Sequence, residues 1–318
     1  MPHRVVVLDD YQDVARRFGP WERLGDRIEL VVVNQHVADD ELVETLTGAA
    51  VVVAMRERTP FPRALLERLP DLKLLVTTGM ANASIDIDAA RDLGITVTGT
   101  GIPINPTSEL TWGLILAVIR NIPSEDARVR DGGWQHTVGL ELVGRTLGVI
   151  GLGRQGSRVA AIGNAFEMDV LAWSQNLDPD HARSQGVEPV TKDDLLERSD
   201  IVTLHLRLSD RTRGIIGATE LARMKHTAYL INTSRGPLVD EVALLNALDQ
   251  GVIAGAGIDV YDTEPLPPRH ALRGAPNTVL TPHVGYVTQG TYEVFYTDAV
   301  EDIDTFLAGR PTRVLNQG

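Results

Sequence analysis

Short apolar runs alternate with amphipathic stretches from the start of the chain. The early apolar runs are rich in Val and Ile and nearly continuous, which is typical of strands covered on both faces of a parallel sheet. These predicted strands are Val5–Leu8, Ile28–Val33, Val51–Met55, Leu72–Thr77 and Ile95–Thr98. The stretches between them predict helices at Ala38–Leu46, Pro62–Leu69 and Asp86–Leu93. This part of the chain is therefore predicted to form an α/β unit of its own.

A second α/β series begins with a long apolar helix. Asn105-Pro106 has the form of a helix N-cap followed by proline, and the helix is predicted over Thr107–Ile119. Asp240–Gly251 and Tyr292–Ala308 predict two more helices. The strands predicted here are Thr146–Ile150, Val170–Trp173, Ile201–His205, Ala228–Asn232, Ala254–Val260 and Thr278–Leu280. The predicted fold class is α/β, with two doubly wound domains and a cleft between them, because open sheets bind ligands beyond the carboxyl ends of their strands.

Composition and charge restrict the function classes. The chain has 318 residues, enough for two domains of ordinary size, and a net charge of −13 that argues against nucleic acid and anionic membrane partners. An anionic substrate would therefore need local positive charge within its site. The absence of cysteine excludes disulfides, cysteine nucleophiles and thiolate metal sites, and we expect no metal. With no signal-like or membrane-spanning segment in the sequence, we expect a cytoplasmic protein.

The stretch Thr146–Gly156 joins a buried strand to a glycine-spaced turn that opens a helix. Its glycines have the spacing that permits a tight turn, a close approach to a pyrophosphate and helix–sheet packing. The phosphates would bind at the helix N-terminus, where unpaired N–H groups and the helix dipole favour an anion. The turn predicts a dinucleotide site formed by Gly151, Gly153, Arg154, Gln155 and Gly156.

Three polar segments each follow a predicted strand in the second half of the chain. Leu230–Gly236 offers Arg235. Ile258–Pro267 offers Asp259 and Glu264, and Leu280–Gly285 offers His283. Because an open α/β sheet binds its ligands at the carboxyl ends of its strands, these side chains are candidates for one site.

An arginine, a carboxylate and a histidine together suit hydride transfer to a 2-oxo acid. Arg235 would bind the substrate carboxylate and polarise the carbonyl. His283 would donate a proton to the carbonyl oxygen as hydride reaches the carbon, and remove it in the reverse direction. Glu264 would hold the imidazole in one tautomer and favour its protonated form. The hydride itself would come from a nicotinamide cofactor.

These segments resemble the signature segments of the D-isomer-specific 2-hydroxyacid dehydrogenases. Asn232-Thr-Ser-Arg-Gly236, Asp259-Val-Tyr-Asp-Thr-Glu-Pro265 and Thr281-Pro-His-Val-Gly285 follow the glycine turn in the family's order. The resemblance covers essentially the whole chain. It implies a Rossmann-type NAD(P)-binding domain over 102–286 and a flavodoxin-like substrate domain made of 1–101 plus 287–318. It also implies a homodimer formed through the nucleotide-binding domains.

The same resemblance implies roles for the matched residues. Arg235, Glu264 and His283 would be catalytic, with Arg235 and His283 also contacting the substrate. Asp259 would face the nicotinamide carboxamide. The backbone of three consecutive residues, Thr78, Gly79 and Met80, would cradle the substrate carboxylate. Further cofactor contacts are expected at Ser174, Gln175, His205 and Thr233, with a structural role as an equal alternative for His205.

Two departures from the family pattern leave the cofactor and the substrate open. Folds that prefer NAD place an acid at the end of the second strand, but Val170–Trp173 is followed by Ser174-Gln175-Asn176. We therefore expect NAD(H) or NADP(H), with preference for NADP(H) or dual use, and only Arg154 or Arg183 offers a partner for a 2′-phosphate. In the substrate loop, Ala81 and Ala83 suggest a roomier or less charged pocket. Glyoxylate, hydroxypyruvate and larger 2-oxo acids all remain possible substrates.

The expected function is an NAD(P)-dependent oxidoreductase acting on a D-2-hydroxy acid and its 2-oxo acid. One alternative is a dehydrogenase of another hydride donor, such as formate or phosphite. Glu264 argues against formate, since formate-type relatives carry glutamine at that position. Phosphite-type relatives carry a lysine in the substrate loop, but the nearest lysine here is Lys73, which lies within a predicted strand. A second alternative is a dinucleotide-sensing binding protein resembling the C-terminal-binding corepressors, although no segment here resembles an added interaction domain.

Overall fold

The computed structural model describes residues 1–103 and 105–317, and the chain divides into two compact units. The first unit comprises Met1–Pro103 with Thr288–Gly318, and the second comprises Ile104–Val287. Each unit contains a parallel sheet with its own apolar core. Among the described residues, no helix combines the length and the apolar character needed to cross a membrane.

The first unit is built on a five-stranded parallel sheet. Its strands are β1 (His3–Val7), β2 (Ile28–Val32), β3 (Val51–Ala54), β4 (Leu74–Thr77) and β5 (Thr96–Gly99). Their order in the sheet is β2-β1-β3-β4-β5, the flavodoxin-like order of a doubly wound fold. Every residue of β3 and β4 is buried, which explains why these strands are continuous apolar runs rather than alternating ones.

Short helices connect these strands. They are α1 (Ala15–Phe18), α2 (Asp39–Leu46), α3 (Arg63–Leu66) and α4 (Ile87–Asp92). The start of α4 is set by Asp86, whose side chain accepts a hydrogen bond from the Ala89 N–H at 2.8 Å. The end of α4 is followed by Gly94, whose φ of +70° suits a glycine directly after a helix.

The second unit is built on a seven-stranded parallel sheet. Its strands are β6 (Thr146–Ile150), β7 (Asp169–Trp173), β8 (Glu188–Pro189), β9 (Ile201–Leu204), β10 (Tyr229–Asn232), β11 (Gly255–Ile258) and β12 (Thr278–Leu280). The order is β12-β11-β10-β9-β6-β7-β8. Its first six strands in chain order therefore have the Rossmann order, and β12 extends the edge beyond β11.

The described part of the second unit contains seven α-helices. They are α5 (Asn105–Ile119), α6 (Ile122–Arg130), α7 (Arg154–Ala165), α8 (Pro179–Ser184), α9 (Lys192–Arg198), α10 (Ala218–Arg223) and α11 (Glu241–Asp249). The helix α5 contains Asn105 as its first residue, so the assignment of Asn105 as N-cap was wrong by one position. Separate apolar clusters lie on the two sides of the sheet, one including Trp112 and Val159 and the other including Leu196 and Leu244.

The last helix, α12 (Gln289–Leu307), completes the first unit. The Tyr292 hydroxyl donates to Gln12 Oε1 at 2.8 Å, and the Tyr296 hydroxyl donates to Asp10 Oδ1 at 3.3 Å. The rings of Tyr292 and Tyr296 are both buried. These contacts attach the end of the chain to the loop that follows β1.

The residues after α12 cover an edge of the first sheet. Val314 forms an antiparallel bridge with Thr98, and the Leu315 N–H donates to the Val97 carbonyl at 2.8 Å. Arg313 holds this segment by donating from Nε to the buried carboxylate of Asp302 at 2.9 Å. This pairing gives hydrogen-bond partners to backbone groups of β5 that would be unpaired in an exposed edge strand.

Candidate active site

Two glycines of the turn between β6 and α7 are required by the chain's own packing. Gly151 has φ of +102°, and a Cβ there would lie 2.7 Å from the His205 carbonyl oxygen. A Cβ on Gly156 would lie 2.0 Å from the Gly151 carbonyl oxygen. Larger residues at either position would displace backbone, so these two glycines set the turn and the close approach of α7 to β6.

Gly153 differs from its two neighbours in the motif. Its φ of −86° is open to any residue, and no described atom lies within 4 Å of an added Cβ. A side chain there would instead extend into the open space at the N-terminus of α7. That space suits a pyrophosphate, which approaches the free N–H groups of the first helical turn most closely when no side chain intervenes. The residues present therefore fit a dinucleotide.

The turn after β7 carries no acid near the strand end. The Ser174 carbonyl accepts from the Leu177 N–H at 3.1 Å, closing a turn around Gln175 and Asn176. Asp178, the first acid that follows, caps α8 by accepting from the Asp180 N–H at 3.0 Å. Of the two arginines considered for a 2′-phosphate, Arg183 pairs with Asp180 at 2.9 Å, whereas Arg154 is the exposed first residue of α7.

His205 and Thr233 lie just after β9 and β10. The His205 Nε2 lies 3.0 Å from the Thr203 Oγ1, and burial lowers the pKa of His205 to about 4. This imidazole is therefore neutral near neutral pH. Thr233 is buried, and its Oγ1 lies 2.8 Å from the Oγ1 of Thr111 on α5. Both side chains have a structural partner in the chain, and their expected contacts with the cofactor remain predictions.

The loop after β10 fixes the backbone of Arg235. The Asn232 side chain bridges the loop, donating to the Arg235 carbonyl at 2.9 Å and accepting from the Ser234 N–H at 3.1 Å. The Ser234 hydroxyl donates to the Leu206 carbonyl at 2.6 Å. Gly236 follows, and a Cβ there would lie 2.1 Å from the Tyr261 carbonyl carbon. This contact brings the Arg235 loop against the loop that carries Glu264.

Glu264 and His283 form a close pair. The His283 Nδ1 lies 2.6 Å from Glu264 Oε2, and Glu264 Oε1 accepts from the Tyr261 N–H at 2.9 Å. Burial by itself raises the pKa of Glu264. The hydrogen bond and charge of His283, the Tyr261 N–H and the charge of Arg235 outweigh it, and the pKa of Glu264 is lowered. The carboxylate is therefore ionised at neutral pH and accepts the Nδ1 proton, which leaves Nε2 as the second hydrogen-bonding nitrogen of the ring.

His283 has an uncommon backbone conformation, with φ of +53°. Its N–H donates to the Asp259 carbonyl at 2.8 Å. The fully buried Asp259 carboxylate accepts from the Thr281 hydroxyl at 2.6 Å and from the Val284 and Gly285 N–H groups at 2.8 and 2.9 Å. Burial raises the pKa of Asp259. Asp259 thus organises the histidine loop, and its expected contact with the carboxamide remains a prediction.

The substrate loop predicted at Thr78, Gly79 and Met80 lies in the first unit. The Thr78 N–H donates to the Ala54 carbonyl at 3.0 Å, and the Gly79 N–H donates to the Thr100 hydroxyl at 2.8 Å. Met80 is half exposed. Two of the three N–H groups of the proposed cradle therefore already have acceptors within the chain.

Arg56 contacts the predicted substrate loop, a contact that the sequence analysis did not anticipate. Its Nη1 donates to the Thr78 carbonyl at 2.9 Å, and a Cβ on Gly79 would lie 1.9 Å from that nitrogen. The guanidinium therefore lies directly against the substrate loop. Arg56 follows β3 as Arg235 follows β10, so the rule that polar residues after parallel strands mark sites could have identified it.

The chain is similar over most of its length to known proteins. Residues 112–285 match the family described as D-isomer specific 2-hydroxyacid dehydrogenase, NAD binding domain. The glyoxylate reductase of Aeropyrum pernix is 40% identical over 264 residues, 80% of this chain and 79% of that protein. The glycerate dehydrogenase of Methylorubrum extorquens is 36% identical over 287 residues, 87% of this chain and 88% of that protein.

The solved structures include a phosphoglycerate oxidoreductase from Vibrio cholerae with a TM-score of 0.92 and 35% identity, covering 97% of this chain and 100% of that one. These similarities confirm the predicted fold class and the predicted oxidoreductase activity on 2-hydroxy and 2-oxo acids with a nicotinamide cofactor. The chain belongs to the D-isomer-specific 2-hydroxyacid dehydrogenase family.

Proposed function

We propose that the chain interconverts a small 2-oxo acid, of the glyoxylate or hydroxypyruvate type, with its D-2-hydroxy acid. The observation that carries this proposal is the 2.6 Å contact between His283 Nδ1 and Glu264 Oε2, beside the Arg235 loop. The names of the two sequence relatives, a glyoxylate reductase and a glycerate dehydrogenase, support a substrate of this size.

His283 is the proposed acid–base residue. With Nδ1 held by Glu264, the imidazole donates its Nε2 proton to the substrate carbonyl oxygen in reduction and takes it back in oxidation. Glu264 stabilises the imidazolium before the transfer and keeps the ring in place afterwards. The bound nicotinamide supplies the hydride that the carbonyl carbon receives. Imidazolium donation completes the hydroxyl group, and solvent returns the proton to the ring.

The proposed binding group for the substrate carboxylate is a cation. Arg235 is always charged, and its planar fork can hold a carboxylate in two parallel hydrogen bonds while it draws electron density from the carbonyl. The chain is strongly acidic as a whole, so this cation supplies local attraction that an anionic substrate needs.

We further propose that the enzyme accepts NADP(H) at least as well as NAD(H). Ser174, Gln175 and Asn176 follow β7 without an acid that would repel a 2′-phosphate. The exposed Arg154 at the start of α7 adds a positive charge at the glycine turn.

A homodimer formed through the nucleotide-binding unit is a further proposal. Within the 22 residues from Ile122 to Val143, five large apolar side chains are exposed. They are Ile122, Val129, Trp134, Val138 and Val143. Val138 is 97% exposed and Trp134 is 72% exposed. Such a concentration of exposed apolar surface marks a protein contact, and a second copy of the chain is the proposed partner.

His283→Ala is expected to lower kcat for reduction about 10²–10⁴-fold, the typical contribution of a positioned acid–base group. The Kd for reduced dinucleotide should stay unchanged, because the proposed role of the imidazole concerns the substrate oxygen. Steady-state kinetics and a dinucleotide titration measure the two quantities. His181→Ala, an exposed histidine on α8, is the matched control. A variant that kept more than about a tenth of the wild-type kcat would contradict the assignment.

Glu264→Gln is expected to move the pH profile of reduction. The ionised Glu264 carboxylate accepts from the His283 ring and stabilises the positive charge of the proposed proton donor, so its loss should move the alkaline fall of activity to lower pH. Because the pKa of Glu264 is lowered, the wild type should keep this advantage throughout the neutral range. The measurement is kcat/KM against pH. Glu293→Gln, an exposed change on α12, should leave the profile unmoved, and an unmoved profile in Glu264→Gln would refute the role.

Ser174→Asp is expected to select against NADP(H). A carboxylate at the end of β7 repels a 2′-phosphate and accepts a 2′-hydroxyl, so kcat/KM with NADPH should fall about tenfold or more, as for a like-charge cost of about 1.4 kcal/mol. The kcat/KM with NADH should stay the same or rise. Ser184→Asp, at the exposed end of α8, controls for the added charge. A wild type with a much lower Michaelis constant for NADH than for NADPH would overturn the proposed preference.

Trp134→Asp is expected to shift the chain from dimer to monomer, because it puts a charge into the proposed apolar contact. Light scattering coupled to gel filtration measures the mass in solution. Val242→Asp, at a side chain 68% exposed on α11, introduces the same charge outside the segment and should leave the dimer intact. A monomeric wild-type protein would end this proposal.

A further inference from the structure

The chain that follows the predicted substrate loop contains a buried polar side chain. Asn82 is buried, whereas its neighbours Ala81 and Ala83 are both exposed. Burial of an amide costs free energy unless its donors and its acceptor are paired within the protein. A buried asparagine between two exposed alanines therefore needs a specific set of partners.

The side chain of Asn82 has partners on both of its polar atoms. Its Nδ2 donates to the Arg56 carbonyl at 2.6 Å and to the Thr77 Oγ1 at 2.9 Å. Its Oδ1 accepts from the Ser84 N–H at 2.8 Å. The Arg56 N–H in turn donates to the Thr78 hydroxyl at 2.9 Å. The amide thus joins the loop after β3, the end of β4 and the turn before α4.

The contact between Thr77 and Asn82 closes the segment Thr78–Ala81 into a short loop. Thr77 is the last residue of β4, and its fully buried side chain is a fixed point within the sheet. Within the closed segment, the N–H groups of Met80 and Ala81 donate to no described residue. These two N–H groups are therefore available to a substrate carboxylate, and Asn82 follows directly after them.

The same segment contains a residue with a freely variable backbone. Gly79 has φ of +92°, a conformation that glycine adopts readily but does not enforce. The Thr78 N–H holds the first half of the segment by donating to the Ala54 carbonyl at 3.0 Å. The second half, after Gly79, depends on the Asn82 amide for its attachment to β4 and to the loop after β3.

We propose that Asn82 is a positioning residue for the 2-oxo acid, acting through the backbone N–H groups of Met80 and Ala81. Its amide keeps these groups in the conformation that binds the substrate carboxylate. The inference rests on the proposed function, because it concerns binding of the same substrate. The carboxylate is unchanged by hydride transfer, so its binding contributes to KM more than to kcat.

Asn82→Leu tests this role, because it keeps a side chain of similar size and removes the three hydrogen bonds. The KM for glyoxylate or hydroxypyruvate, whichever the wild type reduces, should rise about 5- to 10-fold, with kcat within about twofold. The Kd for reduced dinucleotide should not change. The Tm should fall by about 2–6 °C. Steady-state kinetics, dinucleotide titration and thermal unfolding measure these quantities.

Asn316→Leu is the matched control within the same unit. Asn316 is equally buried, its Nδ2 donates to the Ile95 carbonyl at 2.8 Å, and its Oδ1 accepts from the Val97 N–H at 2.9 Å. Ile95 precedes β5, so this amide lies at the opposite edge of the sheet from the loop after β4. The control should lower the Tm comparably and leave KM unchanged. An unchanged KM in Asn82→Leu, or an equal rise in both variants, would refute the inference.

Thr77→Val provides a milder second variant. It removes the hydroxyl that accepts from the Asn82 amide and keeps the shape of the side chain, so KM should rise about 2- to 3-fold. If Asn82→Leu does not fold, the KM of Thr77→Val decides, and a wild-type value refutes the inference. A wild-type protein that reduces no 2-oxo acid would instead overturn the proposed function, a result distinct from an active enzyme whose variants keep the wild-type KM.

Discussion

The buried carboxylate of Asp259 is the constraint on which the arrangement of this site depends. Its backbone N–H donates to the Asn232 carbonyl at 2.9 Å, at the end of β10, and its side chain accepts three hydrogen bonds from the loop after β12. One residue after β11 thus joins the ends of three strands. A buried carboxylate is costly unless it is fully hydrogen-bonded, and here those bonds are what hold His283 in its left-handed conformation. Asp259 therefore stabilises the uncommon backbone conformation of His283 through its hydrogen bonds to the loop that carries the imidazole.

Strand order explains why residues far apart in the chain lie close together. β10, β11 and β12 are neighbours in the sheet, and Arg235, Glu264 and His283 follow them in turn. Parallel pairing places all three loops at the same edge, and the close approach of Gly236 to Tyr261 brings the first two into contact. Hydrogen bonds from both sides then fix the Glu264 carboxylate. The chain itself orients the histidine, which is the preorganisation that the proposed acid–base role requires.

The three glycines of the turn between β6 and α7 have different roles. Gly151 and Gly156 are demanded by the packing of β6 and α7, whereas Gly153 is free of such demands and keeps space open for a ligand. The chain is acidic as a whole, and the guanidinium of Arg235, after β10, lies near enough to Glu264 to help lower the pKa of that carboxyl.

The sequence by itself determined what depends on local pattern: the apolar strands, the capped helices α4 and α11, the glycine turn, and the three segments that identify the family. Apolar runs and caps are readable because their physics acts within a few residues. The tertiary structure alone decided the two-residue strand β8, the position of Asn105 inside α5, the contact of Arg56 with the Gly79 loop and the hydrogen bond of Asn82 to the Arg56 carbonyl. Each of these depends on atoms distant in the chain, because hydrogen bonding, burial and close approach are properties of the packed chain that no local pattern contains.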